Sequence, residues 1–227
     1  MRFSALIMFN SSTKAMLDLA NSIKALKAYK GLLSFPDPLF DITIGLMLGD
    51  LSAVKRYPNS MAVLKFCQSY KHLDYLIHLY DLFSLYVSSP PRVYEINRSS
   101  GSYLQVSFQT FSFPFFDQLY LLFYDPISGK KTIPENIGNL LTPLGLSYWF
   151  MDDGAKAGSG LFLHTDGFSK EDVVLLISVL DSRFGLQCSL RQRHKDQYAI
   201  YISAHSKERF IGFINTFIHP IMQYKLF

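Results

Sequence analysis

Apolar residues change their period several times along the chain, and each change marks an element. Tyr103-Leu104-Gln105-Val106-Ser107-Phe108 and Tyr198-Ala199-Ile200-Tyr201-Ile202-Ser203 alternate, the signature of strands with one buried face. Phe116, Leu119, Leu122 and Phe123 recur at amphipathic-helix spacing, as do Phe210, Phe213, Ile214 and Phe217. Ser69 is placed to cap a helix through Leu73, Leu76, Ile77 and Tyr80. Ser169-Lys170-Glu171-Asp172 resembles a capping box leading into Val173, Val174, Leu176 and Ile177. Two further runs, Ile44-Gly45-Leu46-Met47-Leu48-Gly49-Asp50 and Leu146-Ser147-Tyr148-Trp149-Phe150-Met151-Asp152-Asp153-Gly154, are apolar helices that run into aspartate.

These elements repeat. One constant offset places Val106 on Ile200, Phe108 on Ile202, Phe116 on Phe210, Leu119 on Phe213, Phe123 on Phe217, Pro126 on Pro220 and Lys131 on Lys225. Each copy reads helix, hairpin, helix, hairpin, helix. The expected fold is therefore α+β, with two pseudo-symmetric α-β-β-α-β-β-α halves forming a saddle. The motif helices would pack at the central interface. The expected organisation is an N-terminal extension over 1–38, a first half over 39–140 and a second over 141–227, bridged by Leu140 to Pro143.

Composition narrows the classes. Hydrophobic residues make up 49% and charged ones 18%, below the roughly 25% of ordinary soluble domains. The most apolar stretch, Phe111 to Tyr124, holds Pro114 and Asp117 and is shorter than the roughly 20 residues of a span. It reads as buried core, and no membrane partner is expected. Cys67 and Cys188 have no ligand-like spacing and read as buried free thiols in a reducing compartment. The N-terminus lacks a secretory cleavage pattern.

His164, His194, His205 and His219 share no ligand spacing. There is also no phosphate-cradling glycine loop, which argues against nucleotide hydrolysis. The net charge of +4 permits nucleic-acid binding. Basic clusters occur at Arg2, Lys14, Lys24, Lys27 and Lys30 (against Asp18 and Asp37), at Lys55, Arg56 and Lys65, and at Arg191, Arg193 and Lys195. Any one of them can equally be a solvated face. Lys55, Tyr57, Lys65 and Gln68 give the strands after the first motif helix a polar, basic side suited to a long anion.

A carboxylate at a helix C-terminus meets partial negative charge, so a nearby cation is expected. Gly45 and Gly49 form a small-residue face, with Ser147 a small contact opposite, and close packing would bring Asp50 and Asp153 together. Two adjacent carboxylates ionise cheaply only when cations neutralise them. Such a pair suits two-metal phosphodiester cleavage, with Mg²⁺, or Mn²⁺ as substitute, favoured by oxygen ligands. Lys131 and Lys225 could then stabilise phosphorane charge or tune the attacking water. The same residues fit a tight helix pair in which Asp50 and Asp153 are turn residues, and residue chemistry leaves both readings open.

The strings Gly45-Leu46-Met47-Leu48-Gly49-Asp50, Ser88-Ser89-Pro90-Pro91, Lys130-Lys131-Thr132-Ile133-Pro134, Leu146 to Gly154 and Tyr224-Lys225-Leu226 resemble the LAGLIDADG homing endonucleases. The resemblance is strongest to the monomeric, two-motif type of organellar introns, and runs from about Phe40 to the end. It implies Asp50 and Asp153 as metal-binding aspartates and Lys131 and Lys225 as active-site lysines, with Gly49 and Asp152 lending backbone carbonyls. Asp153 rather than Asp152 matches the family's aspartate before glycine.

The resemblance further implies cleavage of both strands across the minor groove of double-stranded DNA, leaving short 3′ overhangs. The target would be a long asymmetric site of roughly two helical turns. Implied DNA contacts are Lys55, Arg56, Lys65, Gln68, Arg92, Tyr94, Asn97, Arg98 and Gln105 in the first half. In the second they are Arg191, Arg193, Lys195, Gln197 and Tyr201. A monomer, an organellar (mitochondrial) location and intron homing follow from the same resemblance. Two competing readings are an RNA-binding intron maturase on this scaffold, with intron RNA as partner, and a DNA-binding protein without cleavage.

Overall fold

The computed structural model describes residues 23–98 and 101–227. Arg2, Lys14 and Asp18 of the N-terminal charge cluster lie outside the described residues, as do the side chains of Lys24 and Arg98. Residues 23–35 belong to a unit separate from Pro36–Phe227. Within the former, helix α1 spans Ile23–Leu32.

Helix α2, Asp37–Leu48, begins ahead of the expected boundary at 39. A proline in its first turn fixes φ where no N–H partner is needed, and Asp37 suits the positive end of the helix dipole. Its counterpart α6, Pro143–Asp153, is capped by Thr142, whose side chain accepts from the Gly145 N–H. Ile42 to Leu48 and Gly145 to Met151 are buried all round, because each helix is covered by its partner and by the rest of the fold.

The two helices meet at glycines. A Cβ on Gly45 would lie 1.8 Å from the Gly145 carbonyl oxygen, and one on Gly145 would lie 2.8 Å from that of Asp41. The small residue opposite Gly45 is thus Gly145, not Ser147. Ser147 instead turns its hydroxyl back to donate to the Leu144 carbonyl within its own helix.

Each half carries one four-stranded antiparallel sheet of the same topology. The first joins β1 (Ser52–Val54), β2 (Val63–Ser69), β3 (Arg92–Arg98) and β4 (Gly101–Gln109) in the order β1-β2-β4-β3. The second joins β5 (Gly154–Ala157), β6 (Gly160–His164), β7 (Cys188–His194) and β8 (Gln197–Ile202) in the order β5-β6-β8-β7. Phe66 stands opposite Phe108, and Leu161 opposite Ile202. Leu64, Phe66, Val106 and Phe108 are buried, as are Leu161, Leu163, Ile200 and Ile202, so alternation sets one apolar face per sheet.

Helices α3 (Leu73–Leu82) and α4 (Pro114–Phe123) pack on the first sheet; α7 (Lys170–Phe184) and α8 (Ala204–Ile214) pack on the second. A short helix, α5 (Ile137–Leu140), stands just before the expected bridge. The two α-β-β-α-β-β-α halves read from the repeat are present. Among the described residues no single helix is long and apolar enough to cross a membrane.

Some local expectations change. The capping box at Ser169 forms with Asp172 in both directions. Ser69 makes no side-chain cap, because β2 continues through it to pair with Gln105 and a 3₁₀ turn intervenes before Leu73. Phe217 is exposed because α8 stops at Ile214 and a three-residue 3₁₀ turn rotates it outward. Cys67 and Cys188 are free but half-buried rather than core residues, since each lies in a strand near the open face or edge.

Candidate active site and nucleic-acid interface

The glycine crossing brings the C-terminal ends of α2 and α6 together, leaving two sets of unpaired carbonyls in one place. Two lysines answer them. The Lys131 Nζ donates to the carbonyls of Gly49 (3.1 Å) and Leu51 (2.8 Å). The Lys225 Nζ donates to those of Met151 (2.6 Å) and Asp152 (2.7 Å). Each lysine thus grips the carbonyl immediately before a motif aspartate, a cation placed at the negative end of a helix.

Lys131 reaches this position from the β-bridge between Tyr124 and Lys131, and Lys225 from a 3₁₀ turn over Pro220–Lys225. Burial holds both ammonium groups below the ordinary lysine range, Lys131 at about 8, while the surrounding aspartates pull the other way. An amine near 8 can stay charged beside a phosphate or take up a proton in mildly alkaline solution.

Asp50, Asp153 and Lys131 line one cavity of about 260 Å³ together with His164, Thr165 and Asp166. Asp50 is exposed, and its Oδ2 accepts from the Gln68 side-chain amide at 2.9 Å. Asp153 is half-buried, and burial and then Asp50 push its carboxyl up to about 7, with Lys225 and Lys131 opposing. The neighbouring Asp152 turns elsewhere. Its Oδ2 accepts from the Asp50 N–H (3.0 Å) and its Oδ1 from the Tyr75 hydroxyl (2.9 Å). Burial, followed by Asp50 and Asp153, lifts this carboxyl well above the carboxylate range.

The donor set fits a hard divalent cation. Carboxylate and carbonyl oxygens converge on a site whose acids resist ionising together. Among the described residues no group of three or more His, Cys, Asp or Glu side chains forms a ready-made metal cage. Water and phosphate oxygens would have to complete the shell, as Mg²⁺ tolerates. The carbonyls of Gly49 and Asp152 each already accept from a lysine.

The sheet faces turned away from the helices carry most of the expected contact residues. In the first half, Lys65, Arg92, Tyr94 and Gln105 line one open cavity of about 680 Å³. Arg56 and Asn97 are exposed outside it, and Asn97 pairs with Ser102 on the opposite strand parity. Lys55 turns to α4, where it meets Asp117 at 2.7 Å and lies over the Tyr120 ring. Gln68 falls on the helix-facing side, opposite Val106, and reaches Asp50 rather than the open face.

In the second half, Arg191 lies over the Tyr201 ring at 5.3 Å, Lys195 is exposed at the hairpin turn, and Gln197 is half-buried. The Arg193 Nη1 donates to Asp166 (3.1 Å) and to His164 Nδ1 (2.9 Å). Arginine only donates, so the His164 Nδ1 accepts and the neutral ring carries its proton on Nε2.

Sequence reasoning missed Tyr75, His164 and Asp166, and the side-chain role of Asp152. Tyr75 sits on the apolar stripe of α3 and reads as core. His164 and Asp166 form a polar end to an otherwise apolar strand before Gly167, which was a usable signal.

The chain is similar to several known proteins. The model of the LAGLIDADG DNA endonuclease family matches residues 40–210. A Wickerhamomyces canadensis protein named "Probable intron-encoded endonuclease 1" is 36% identical over 223 residues, covering 94% of each chain. A cytochrome b mRNA maturase of Debaryomyces hansenii is 30% identical over 217 residues, covering 92% of this chain and 82% of the relative. The homing endonuclease I-WcaI, solved bound to its DNA recognition sequence, superposes with a TM-score of 0.86 at 35% identity, covering 95% of this chain and 97% of the other. With the family's motifs on its two central helices and its model matched across most of its length, the chain belongs to the LAGLIDADG DNA endonuclease family.

Proposed function

We propose that the chain is a site-specific endonuclease of intron homing, acting as a monomer on both strands of a long asymmetric DNA duplex. The observation that carries this reading is the shared cavity of Asp50, Asp153 and Lys131, placed where the C-terminal ends of α2 and α6 meet. Asp50 and Asp153 would hold divalent metal, Mg²⁺ with Mn²⁺ as substitute. Such a metal would supply Lewis acidity for activating a water and for stabilising the 3′ oxygen that leaves the phosphodiester.

Gln68 orients the Asp50 oxygen that it donates to. Lys131 and Lys225 hold positive charge beside the reacting phosphates. Lys65, Arg92, Tyr94 and Gln105 in one half, and Arg191, Lys195 and Tyr201 in the other, bind the backbone and base edges of the duplex. The relatives named for introns and for cytochrome b mRNA support an organellar, mitochondrial setting.

The test is incubation of the purified chain with a randomised duplex library and Mg²⁺, followed by sequencing of the cut ends. Double-strand breaks at one long motif, lost on chelation, are expected; the absence of any enriched cut site would refute the reading. A second reading, an RNA-binding maturase, is favoured by the name of the Debaryomyces relative. Tight binding of the host intron RNA without any DNA cleavage would select it instead.

A further inference from the structure

At the seam the two halves differ at Asp152, whose counterpart is Gly49. Asp152 belongs to α6, yet its carboxyl serves the first half. One oxygen takes the backbone N–H of Asp50 and the other the hydroxyl of Tyr75, which is fully buried in α3. The crossing is one-way. The residue before Asp50 is Gly49, which has no side chain to send back, and a Cβ there would stand 2.5 Å from the Asp152 Oδ2. Gly49 therefore leaves the room that the Asp152 carboxyl fills.

Asp50 lies just past the end of α2, where the helix no longer dictates the backbone, and its side chain is exposed. The Asp152 bond supplies that missing restraint, and the Tyr75 hydroxyl fixes the orientation of the carboxyl that supplies it. We propose that Tyr75 and Asp152 are a positioning pair, through which the second half sets the backbone at Asp50 and with it the geometry of the first half's centre. The catalytic consequence rests on the endonuclease reading, while the clamp itself does not.

Two readouts separate these. In the metal-free protein, amide hydrogen exchange at Asp50 is expected to be slow, and roughly tenfold faster in Asp152→Ala. On DNA, single-turnover cleavage at saturating protein is expected to slow roughly fivefold in Tyr75→Phe, about the effect of one neutral hydrogen bond. The loss should be larger in Asp152→Ala and partly recovered in Asp152→Asn, which keeps an acceptor for the Asp50 N–H. DNA affinity should not change.

A merely structural role would lower the melting temperature and leave the rate per folded molecule untouched, and that pattern overturns the proposal. Unchanged Asp50 exchange in both variants overturns it as well. If Asp152→Ala does not fold, Tyr75→Phe, which deletes one hydroxyl, decides. If the wild-type chain cuts no DNA, the endonuclease reading fails, and the clamp stands or falls on the Asp50 amide.

Discussion

The first-half and second-half centres are alike in backbone and unlike in acid. In both, a lysine grips the carbonyl preceding the motif aspartate, Gly49 for Lys131 and Asp152 for Lys225. The carboxylates then diverge. Asp50 is exposed and held by the Gln68 amide, whereas Asp153 is half-buried and its carboxyl is pushed up to about 7. Gln68 stands opposite Val106 in the first sheet. The matching place in the second, opposite Ile200, belongs to Leu163, which has no hydrogen bond to give. The carbonyl cradle follows from repeating a helix and a lysine-bearing turn, while the environment of each acid depends on single side chains that repetition does not copy.

The comparison breaks first at the lysines. If both serve the reaction, Lys131→Met and Lys225→Met should each slow single-turnover cleavage on the order of a hundredfold with little change in DNA affinity. A large loss in one alone would show that the likeness of the two cradles is structural only.

Gln68→Ala sharpens the contrast. It should cost roughly tenfold, and strand-resolved gels should show one strand slowed more than the other. Equal slowing of both strands would mean that Gln68 serves a shared step.

The smallest expected effect is in pH. If Asp153 holds the metal, proton and metal compete for it, and titrating metal at fixed pH should show apparent affinity falling about twofold from pH 8 to 7, then roughly tenfold per unit below. Because the folded-state value is raised from 3.8 to about 7, the stability from the neutral acid is present below 3.8 and is lost as pH rises through 7. The metal-free melting temperature should therefore fall from pH 5 to 8, and a divalent ion should reverse the fall. A pH-independent metal affinity would contradict the difference drawn between the two acids.

Much of the fold was legible because it repeats. The alternation around Val106 and Ile200, and the lysines at 131 and 225, carry the two-half architecture in the sequence itself. What escaped depends on geometry that period and offset do not carry. Gly145, not Ser147, lies opposite Gly45, because which residues meet depends on how the two helices cross. Gln68 reads as a polar strand residue, yet strand parity turns it toward the helices and Asp50. Lys55 reads as part of a basic face, but Asp117 on a later helix is close enough to bind it. Tyr75 has an apolar neighbourhood in sequence, and its hydroxyl gains meaning only when Asp152 arrives from the other half.

The central claim is that one composite centre needs both motif aspartates. The most direct measurement compares wild type, Asp50→Asn and Asp153→Asn on a duplex selected by the wild-type protein, with Mg²⁺ and saturating protein, following each strand. Wild type should cut both strands, and each variant should lose on the order of a thousandfold while binding the duplex as tightly as before. Undiminished double-strand cutting by either variant would contradict the account.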